Sequence, residues 1–152
     1  MGEFFANPEI KIFLQILLAA LLGGIVGIER EHKGKEAGLR TCILVAVGAT
    51  LFTTISLSAF NSYIGMSGVS FDPSRIVGQV VLGIGFIGAG LIIHREHRVE
   101  GLTTAAGIWT VAAIGAAVGV KLYILAILST FLIVAILTGL HLIEEKVFKT
   151  KS

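Results

Sequence analysis

Long runs of apolar residues, separated by short polar segments, dominate the pattern of this 152-residue chain. The five runs that carry no charged side chain cover about residues 12–28, 41–60, 76–93, 102–120 and 122–143. A helix of about 20 apolar residues crosses the roughly 30 Å hydrocarbon core of a bilayer, and the shortest of these runs is close to that length. The pattern therefore predicts an all-α, polytopic membrane bundle of five transmembrane helices.

Composition agrees with a membrane protein. Hydrophobic residues make up 55% of the chain and charged residues 14%, which lies outside the range of soluble domains. The net charge of +2 is too small to indicate a nucleic-acid partner, and the single cysteine, Cys42, excludes an internal disulfide. We expect one transmembrane domain over residues 1–152, with no C-terminal cytoplasmic domain, because the polar tail after Ile143 is too short to fold alone.

The distribution of lysine and arginine predicts the orientation. Nine of these residues lie in the segments 29–40 and 94–101 and in the C-terminal tail, whereas three (Lys11, Arg75 and Lys121) lie on the opposite side. Cytoplasmic loops carry the excess of positive charge in membrane proteins. The count predicts an external N-terminus and a cytoplasmic C-terminus.

The two charged turns resemble each other. Arg30-Glu31-His32 recurs as Arg95-Glu96-His97, and the glycine, leucine and threonine residues that follow recur with small differences in length. A two-span unit returns the chain to its starting side, so repeated units would be parallel. We therefore predict that spans one and two repeat as spans three and four, with chance similarity of charged turns as the alternative.

Charged residues at the span ends form the first group of candidates. We predict a cytoplasmic cluster of Glu29, Arg30, Arg40, Arg95 and Glu96. Glu29 lies at a helix C-terminus, where a carboxylate opposes the macrodipole, so we expect a partner such as Arg40 or Arg95. With Glu31 and Glu100, these carboxylates could bind a hydrated Mg²⁺. The alternative is a salt-bridged turn that sets topology.

Polar residues at helix starts and inside spans form the second group. Thr41, Thr103 and Thr104 are suited to cap helix N-termini, or to bind an anion such as a phosphate or lipid head group together with Arg40. Gln79, the single amide in the run 76–93, needs a partner in hydrocarbon, either as a link between helices or as part of a polar path.

Three further polar or amphipathic residues flank the third span or lie in the fourth. Asp72 fits a helix start with Pro73 in the first turn, and Arg75 follows it at the external end. Trp109 lies about two turns into span four, so its indole N–H needs a partner.

Glycines at close spacing predict helix packing. The pairs Gly23/Gly27 and Gly115/Gly119 have the small-xxx-small spacing of helix contacts, and from them we expect a homodimer. Gly83, Gly85 and Gly88 also match GxGxxG, but a dinucleotide site needs a strand before this motif and a βαβ unit around it. We therefore assign these residues, with Gly90, to helix packing.

Several of these segments resemble the MgtC/SapB family of membrane proteins. The similar segments are GIVGIERE at 24–31, GLRT at 38–41, DPSR at 72–75, QVVLGIGFIGAG at 79–90 and GLTTAAGIW at 101–109. The resemblance implies an inner-membrane protein linked to growth at low magnesium and, in pathogens, to survival in macrophages. It also implies regulation of a membrane partner such as an ATP synthase or a transporter.

Two functions remain open from the sequence. The first is regulation through binding of another membrane protein, which suits glycine-rich helix faces. The second is a small transporter or channel with a polar path near Gln79. An enzyme is a distant third because no nucleophile and base stand at recognisable spacing. Membrane lipids are expected around the spans, and no cofactor is evident apart from a Mg²⁺ ion at the carboxylates.

Overall fold

Five α-helices and one β-hairpin form the described part of the chain. The computed structural model describes residues 7–59, 72, 74–96 and 98–148, with the side chains of 59, 74 and 140–148 excepted. In chain order the elements are α1 (Pro8–His32), α2 (Leu39–Ala59), α3 (Ser74–Leu91), β1 (Ile93–Arg95), β2 (Arg98–Glu100), α4 (Leu102–Gly119) and α5 (Tyr123–Phe148). The predicted all-α fold of five helices is confirmed. Residues 60–71 between α2 and Asp72, and the end of the predicted tail beyond 148, lie outside the described residues.

Helix α1 is longer than the apolar run that predicted it. It begins at Pro8 because the Asn7 side chain accepts a hydrogen bond from the Glu9 N–H at 2.9 Å and proline is tolerated in the first turn. It continues past Ile28 to His32 because Glu29 and Lys33 form an ion pair one turn apart. The helix therefore carries charged side chains in its last turn.

Helix α4 lies at the centre of the bundle and packs against all four other helices. Ile108, Val111 and Val118 are almost completely buried on it. Helix α2 packs mainly against α1 and α4, whereas α3 packs mainly against α4 and only weakly against α2. As a result α3 stands at the edge of the bundle, and the described residues leave much of its surface uncovered.

Four of the predicted packing glycines bring helices into close contact within the chain. A Cβ atom at Gly23 would lie 2.7 Å from the Ala46 Cβ, and one at Gly119 would lie 2.7 Å from the Thr53 Cβ. Gly27 and Gly115 likewise face α2, the latter against a backbone carbonyl oxygen. These glycines join α1 and α4 to α2, so they are not free for a second copy. The homodimer prediction loses the basis on which it was made.

The predicted packing glycines of α3 behave differently. Gly88 faces α4, where a Cβ atom at this position would lie 3.6 Å from the Ala105 Cβ. A Cβ atom added at Gly83, Gly85 or Gly90 would meet no described atom within 4 Å. The GxGxxG segment lies entirely inside α3, and no strand leads into it from the described residues before this helix. The three open glycines therefore belong to a surface that no described residue covers.

Three helices, α1, α2 and α4, are long and apolar enough to cross a membrane. The described apolar parts of α3 and α5 are shorter. Large apolar side chains point outward around the bundle, among them Phe86, Ile124 and Leu44. Such a surface requires lipid rather than water around it.

The two charged turns have different structures. A short turn after α1 leads directly into α2, whereas α3 and α4 are joined by an antiparallel hairpin in which His94 pairs with Val99 and Arg95 with Arg98. The structure thus does not confirm the two-helix repeat, which stays a prediction. Because every residue of the two hairpin strands is exposed, this connection contributes little to the core.

Candidate functional site

A compact group of charges lies at the end of α1. The Glu29 carboxylate accepts hydrogen bonds from Arg30 Nε at 2.5 Å and Nη2 at 2.9 Å, and it forms an ion pair with Lys33 Nζ at 2.7 Å. The side chains of Glu29 and Arg30 are only 10% and 4% exposed. Opposite charges at this distance offset much of the cost of taking each ion out of water.

Arg30 and Lys33 together carry more hydrogen-bond donors than the Glu29 carboxylate accepts. Arg30 Nη1 is buried and makes no hydrogen bond to any residue that the structure describes. Lys33 Nζ uses a second acceptor, the backbone carbonyl oxygen of Leu137 on α5, at 2.7 Å. The group therefore ties the end of α1 to α5.

The expected partners of Glu29 are not the observed ones. Glu29 pairs with Arg30 and Lys33 rather than with Arg40 or Arg95, because its own helix continues for another turn and brings Lys33 within reach. Arg95 pairs instead with Glu100 across the exposed hairpin, at 3.4 Å.

The remaining members of the predicted cluster are exposed. Arg40 points to the surface on α2, and Glu96 lies at the tip of the hairpin with a positive φ of 37°. The charges that we grouped together thus form two sets, one buried and one exposed.

The predicted threonine caps are also corrected. Glu31 reaches forward from α1, and its Oε2 accepts a hydrogen bond from the Leu39 N–H at 2.7 Å, so α2 begins two residues before Thr41. Gly101, with a φ of 85°, is the N-cap of α4, and no side chain caps that helix among the described residues. Thr103 is exposed, while Thr104 donates from its hydroxyl to Glu36 at 3.3 Å.

The carboxylates do not converge as metal ligands. Within the described residues no group of three or more histidine, cysteine, aspartate or glutamate side chains could hold a metal ion. Both oxygens of Glu29 already face cations, and one oxygen of Glu31 caps a helix. A hydrated Mg²⁺ asks for one or two free carboxylates. In the predicted set Glu96 on the exposed hairpin is nearest to that condition, since Glu100 pairs with Arg95.

A groove of about 620 Å³ lies between α2 and α3. Its walls are mostly apolar, with Phe52 and Val45 on α2 and Ile84 and Gly83 on α3. Gln79 also lines the groove, is exposed, and makes no hydrogen bond to a described residue. Of the two roles predicted for Gln79, a link between helices is thus not observed within the described part of the chain.

Three other predicted residues lie on the surface. The Asp72 carbonyl oxygen accepts a hydrogen bond from the Arg75 N–H at 3.3 Å, which starts α3, and both residues are exposed. Trp109 is 49% exposed on the outer side of α4, and its indole has no hydrogen-bond partner among the described residues. The partner predicted for the Trp109 indole is thus not observed within the described part of the chain, because this face of α4 points away from the bundle.

Gln15 is a buried polar residue that the sequence analysis did not single out. It is 5% exposed, and its Nε2 donates to the Tyr123 hydroxyl at 2.9 Å and to the Val118 carbonyl oxygen at 3.4 Å. The signal was available, because Gln15 is the only amide in the apolar run 12–28, as Gln79 is in the run 76–93.

A bundle with an apolar outer surface, helices of membrane-spanning length and buried polar groups inside defines a helical membrane protein. The profile of the MgtC family matches residues 16–146, and the chain belongs to this family. The resemblance noted in the sequence is thereby confirmed.

Curated relatives are about two fifths identical to the chain over the aligned residues. It is 43% identical to the "putative magnesium transporter YhiD" of Escherichia coli K12 over 86% of this chain and 61% of that protein. It is 38% identical to protein SapB of Bacillus subtilis, over 80% and 52%, and 45% identical to protein MgtC of Brucella abortus, over 78% and 46%. The chain thus spans about half to three fifths of the length of these relatives. No solved structure matches it significantly.

Proposed function

We propose that this inner-membrane protein acts in magnesium homeostasis by binding a helix of another membrane protein, such as an ATP synthase or a transporter, in the groove between α2 and α3. Family membership and the name of the E. coli relative support the link to magnesium. The observation that carries the mode of action is the groove itself, which is apolar, open and bordered by a weakly packed helix.

The chemistry of the groove suits a helix. Lipid tails are as apolar as leucine, so helices in a membrane associate through close packing and hydrogen bonds rather than through hydrophobicity. Gly83 gives a partner backbone close access to α3, and the amide of Gln79 offers a hydrogen bond in the same groove. An unsatisfied amide in hydrocarbon is costly, and a partner helix would remove that cost.

The charged cluster of Glu29, Arg30 and Lys33 favours a regulatory function rather than a path for ions at this end of the bundle. A carboxylate that binds a transported cation must exchange its partners, but Glu29 holds two cationic groups in a largely buried position. Removing either partner would leave a buried charge uncompensated. We therefore assign this cluster to stability and topology.

A small transporter is the second candidate. The name of the E. coli relative favours it, as do the buried hydroxyls of Thr53 and Ser56 on α2, which have no hydrogen-bond partner among the described residues. Such hydroxyls could line a polar path between helices.

A crosslinking experiment distinguishes binding of a partner protein from transport, because the two functions predict different results. A photoreactive amino acid in place of Gln79 should crosslink to another membrane protein in cells grown at low magnesium. Gly83→Phe should block the groove, abolish the crosslink and impair growth at low magnesium in a strain that depends on this protein. Gly85→Phe is the matched control, because Gly85 lies on the same helix with equal free space but outside the groove.

The other outcomes are equally informative. A crosslinked product of twice the protein's own mass would replace the partner protein with a second copy and would support the predicted homodimer. Normal growth of Gly83→Phe together with selective Mg²⁺ flux in liposomes that contain only this protein would refute the proposal in favour of transport.

A further inference from the structure

A second cavity lies at the end of the bundle opposite the charged cluster. It has a volume of about 560 Å³ and is formed by the start of α1, the end of α2 and the turn between α4 and α5. Its polar lining residues are Lys11, Gln15, Thr54, Ser58, Lys121 and Tyr123. The groove between α2 and α3 is separate from this cavity and does not account for it.

The charged side chains that line the cavity in the described part of the chain are all positive. Lys11 on α1 and Lys121 in the α4–α5 turn both contribute to its wall, and no described acidic residue does. The cavity also receives the N-termini of α1 and α5, at Pro8 and Tyr123. A helix N-terminus carries a partial positive charge and unpaired N–H groups. At α1 the Asn7 side chain caps the Glu9 N–H and the Glu9 carboxylate lies in the first turn, so the start of α5 is the end that adds to the field of the lysines.

The buried side chain of Gln15 forms the inner wall of the cavity and holds Tyr123 in place. Gln15 lies one helical turn beyond Lys11 on the same face of α1 and is only 5% exposed. It donates to the Tyr123 hydroxyl at 2.9 Å, which fixes that hydroxyl beside the cavity. The inner wall is thus a preorganised polar surface in an otherwise apolar helix pair.

Lys121 occupies an unfavourable backbone position. It has a φ of 67° and follows Val120, the C-cap of α4, and its N–H bonds to the Val118 carbonyl oxygen at 3.0 Å. Glycine is the usual residue at this left-handed position after a helix, because a side chain is strained there. A lysine at this position adds strain to the turn and places a cation at the cavity, which is the combination expected of a binding residue.

We propose that this cavity binds a phosphate-type anion, either the head group of an anionic phospholipid or free phosphate. The two lysines and the N-terminus of α5 attract the negative charge. The Tyr123 hydroxyl, which accepts a hydrogen bond from Gln15, keeps its own O–H to donate, and the Ser58 hydroxyl lies beside it in the lining. Leu14, which also lines the cavity and is 45% exposed, gives an adjoining apolar wall where an acyl chain can lie.

The test uses the full-length protein in nanodiscs. Retention of phosphatidylglycerol relative to phosphatidylcholine is measured by native mass spectrometry, and binding of inorganic phosphate by titration calorimetry in nanodiscs of phosphatidylcholine alone. Lys11→Gln and Lys121→Gly should each weaken binding about five-fold, the effect of about 1 kcal/mol per basic residue at a charged surface. Lys35→Gln is the control, because Lys35 is an exposed lysine that does not line the cavity.

Lys121→Gly separates binding from folding. Because glycine relieves the strain at a positive φ, this variant should unfold at the same or a higher temperature than the parent while it binds the anion less tightly.

Preferential retention of phosphatidylglycerol that depends on both lysines identifies a lipid site. Binding of inorganic phosphate with the same dependence identifies a site for free phosphate. Equal binding by the parent and both cavity variants, or an equal loss in Lys35→Gln, would overturn the proposal.

Discussion

At the scale of single residues, the least expected feature is the charged group around Glu29. A carboxylate in the last turn of a helix opposes the macrodipole, so Glu29 alone would destabilise α1. Arg30 and Lys33 reverse that effect because they hold both carboxylate oxygens at short distances. Arg30 in turn depends on Glu29, since its guanidinium is buried and one of its nitrogens already lacks a partner among the described residues.

Replacing Glu29 with glutamine should therefore destabilise the protein strongly. The neutral amide leaves the buried Arg30 without a counter-charge, and the removal of one member of a buried pair typically costs about 3 to 5 kcal/mol. Thermal unfolding in mild detergent measures the loss. Glu100→Gln is the control, since the exposed pair of Glu100 with Arg95 is worth about 1 kcal/mol or less. Equal melting temperatures for Glu29→Gln and the parent would show that the buried pair does not stabilise the fold.

A second prediction at this scale concerns the glycines. Gly115→Ala places a methyl group against the backbone of Ala46, which cannot move aside as a side chain can, so the variant should lose about 1 to 3 kcal/mol. Gly83→Ala meets no described atom within 4 Å, and it should gain up to about 1 kcal/mol because alanine favours a helix. Changes of the same sign in the two melting temperatures would contradict the packing of α4 on α2.

At the scale of elements, the connection from α1 to α2 is held by a side chain from the preceding helix. Glu31 accepts the hydrogen bond of the Leu39 N–H, one of the first donors of α2, and packs over Gly38. A Cβ atom at Gly38 would lie 2.8 Å from Glu31 Oε2, so a larger residue there would displace the capping carboxylate. Glu31 and Gly38 act together as the start signal of α2.

Glu31→Ala should loosen the start of α2 and leave the rest of the fold intact. Loss of an N-terminal cap costs about 1 kcal/mol. Hydrogen exchange should therefore become about five-fold faster in the first turn of α2, while exchange at the centre of α4 changes little. Lys35→Ala, an exposed change in the same turn, serves as the control. A uniform increase in exchange along the chain would mean that Glu31 supports the whole bundle rather than this one helix.

At the scale of the whole molecule, the charges divide between the two ends of the bundle. Glu29, Arg30 and Lys33 lie at one end, and Lys11 and Lys121 at the other. The bundle therefore has two chemically distinct ends, and the excess of basic residues at the first end predicts that this end is cytoplasmic.

Labelling of single cysteines tests this orientation. In a Cys42→Ala background, Lys35→Cys should react with a membrane-impermeant reagent only after the cells are opened, whereas Lys121→Cys should react in cells in which only the outer membrane is permeabilised. Both positions are exposed, so burial does not limit either reaction. Protection of position 121 and labelling of position 35 before the cells are opened would invert the proposed topology. Positions 67 and 150, also suited to this test, lie outside the described residues.

The sequence by itself determined the class of the protein, the number of helices and their approximate bounds. These properties follow from the length and spacing of apolar runs, which set where a chain can enter hydrocarbon. The motifs around Glu29, Gln79 and Gly101 also indicated the MgtC family, and the matching profile confirms it.

Only the tertiary structure decided which faces of the helices meet. In a membrane protein the lipid-facing and core-facing sides are both apolar, so the hydrophobic pattern does not reveal the rotation of a helix about its axis. For this reason the sequence predicted a partner for the Trp109 indole, gave Glu29 a distant partner and assigned Gly23 to a second copy. Gln15 on α1 donates a hydrogen bond to Tyr123 at the start of α5, 108 residues away, and such a contact exists only once the bundle has formed.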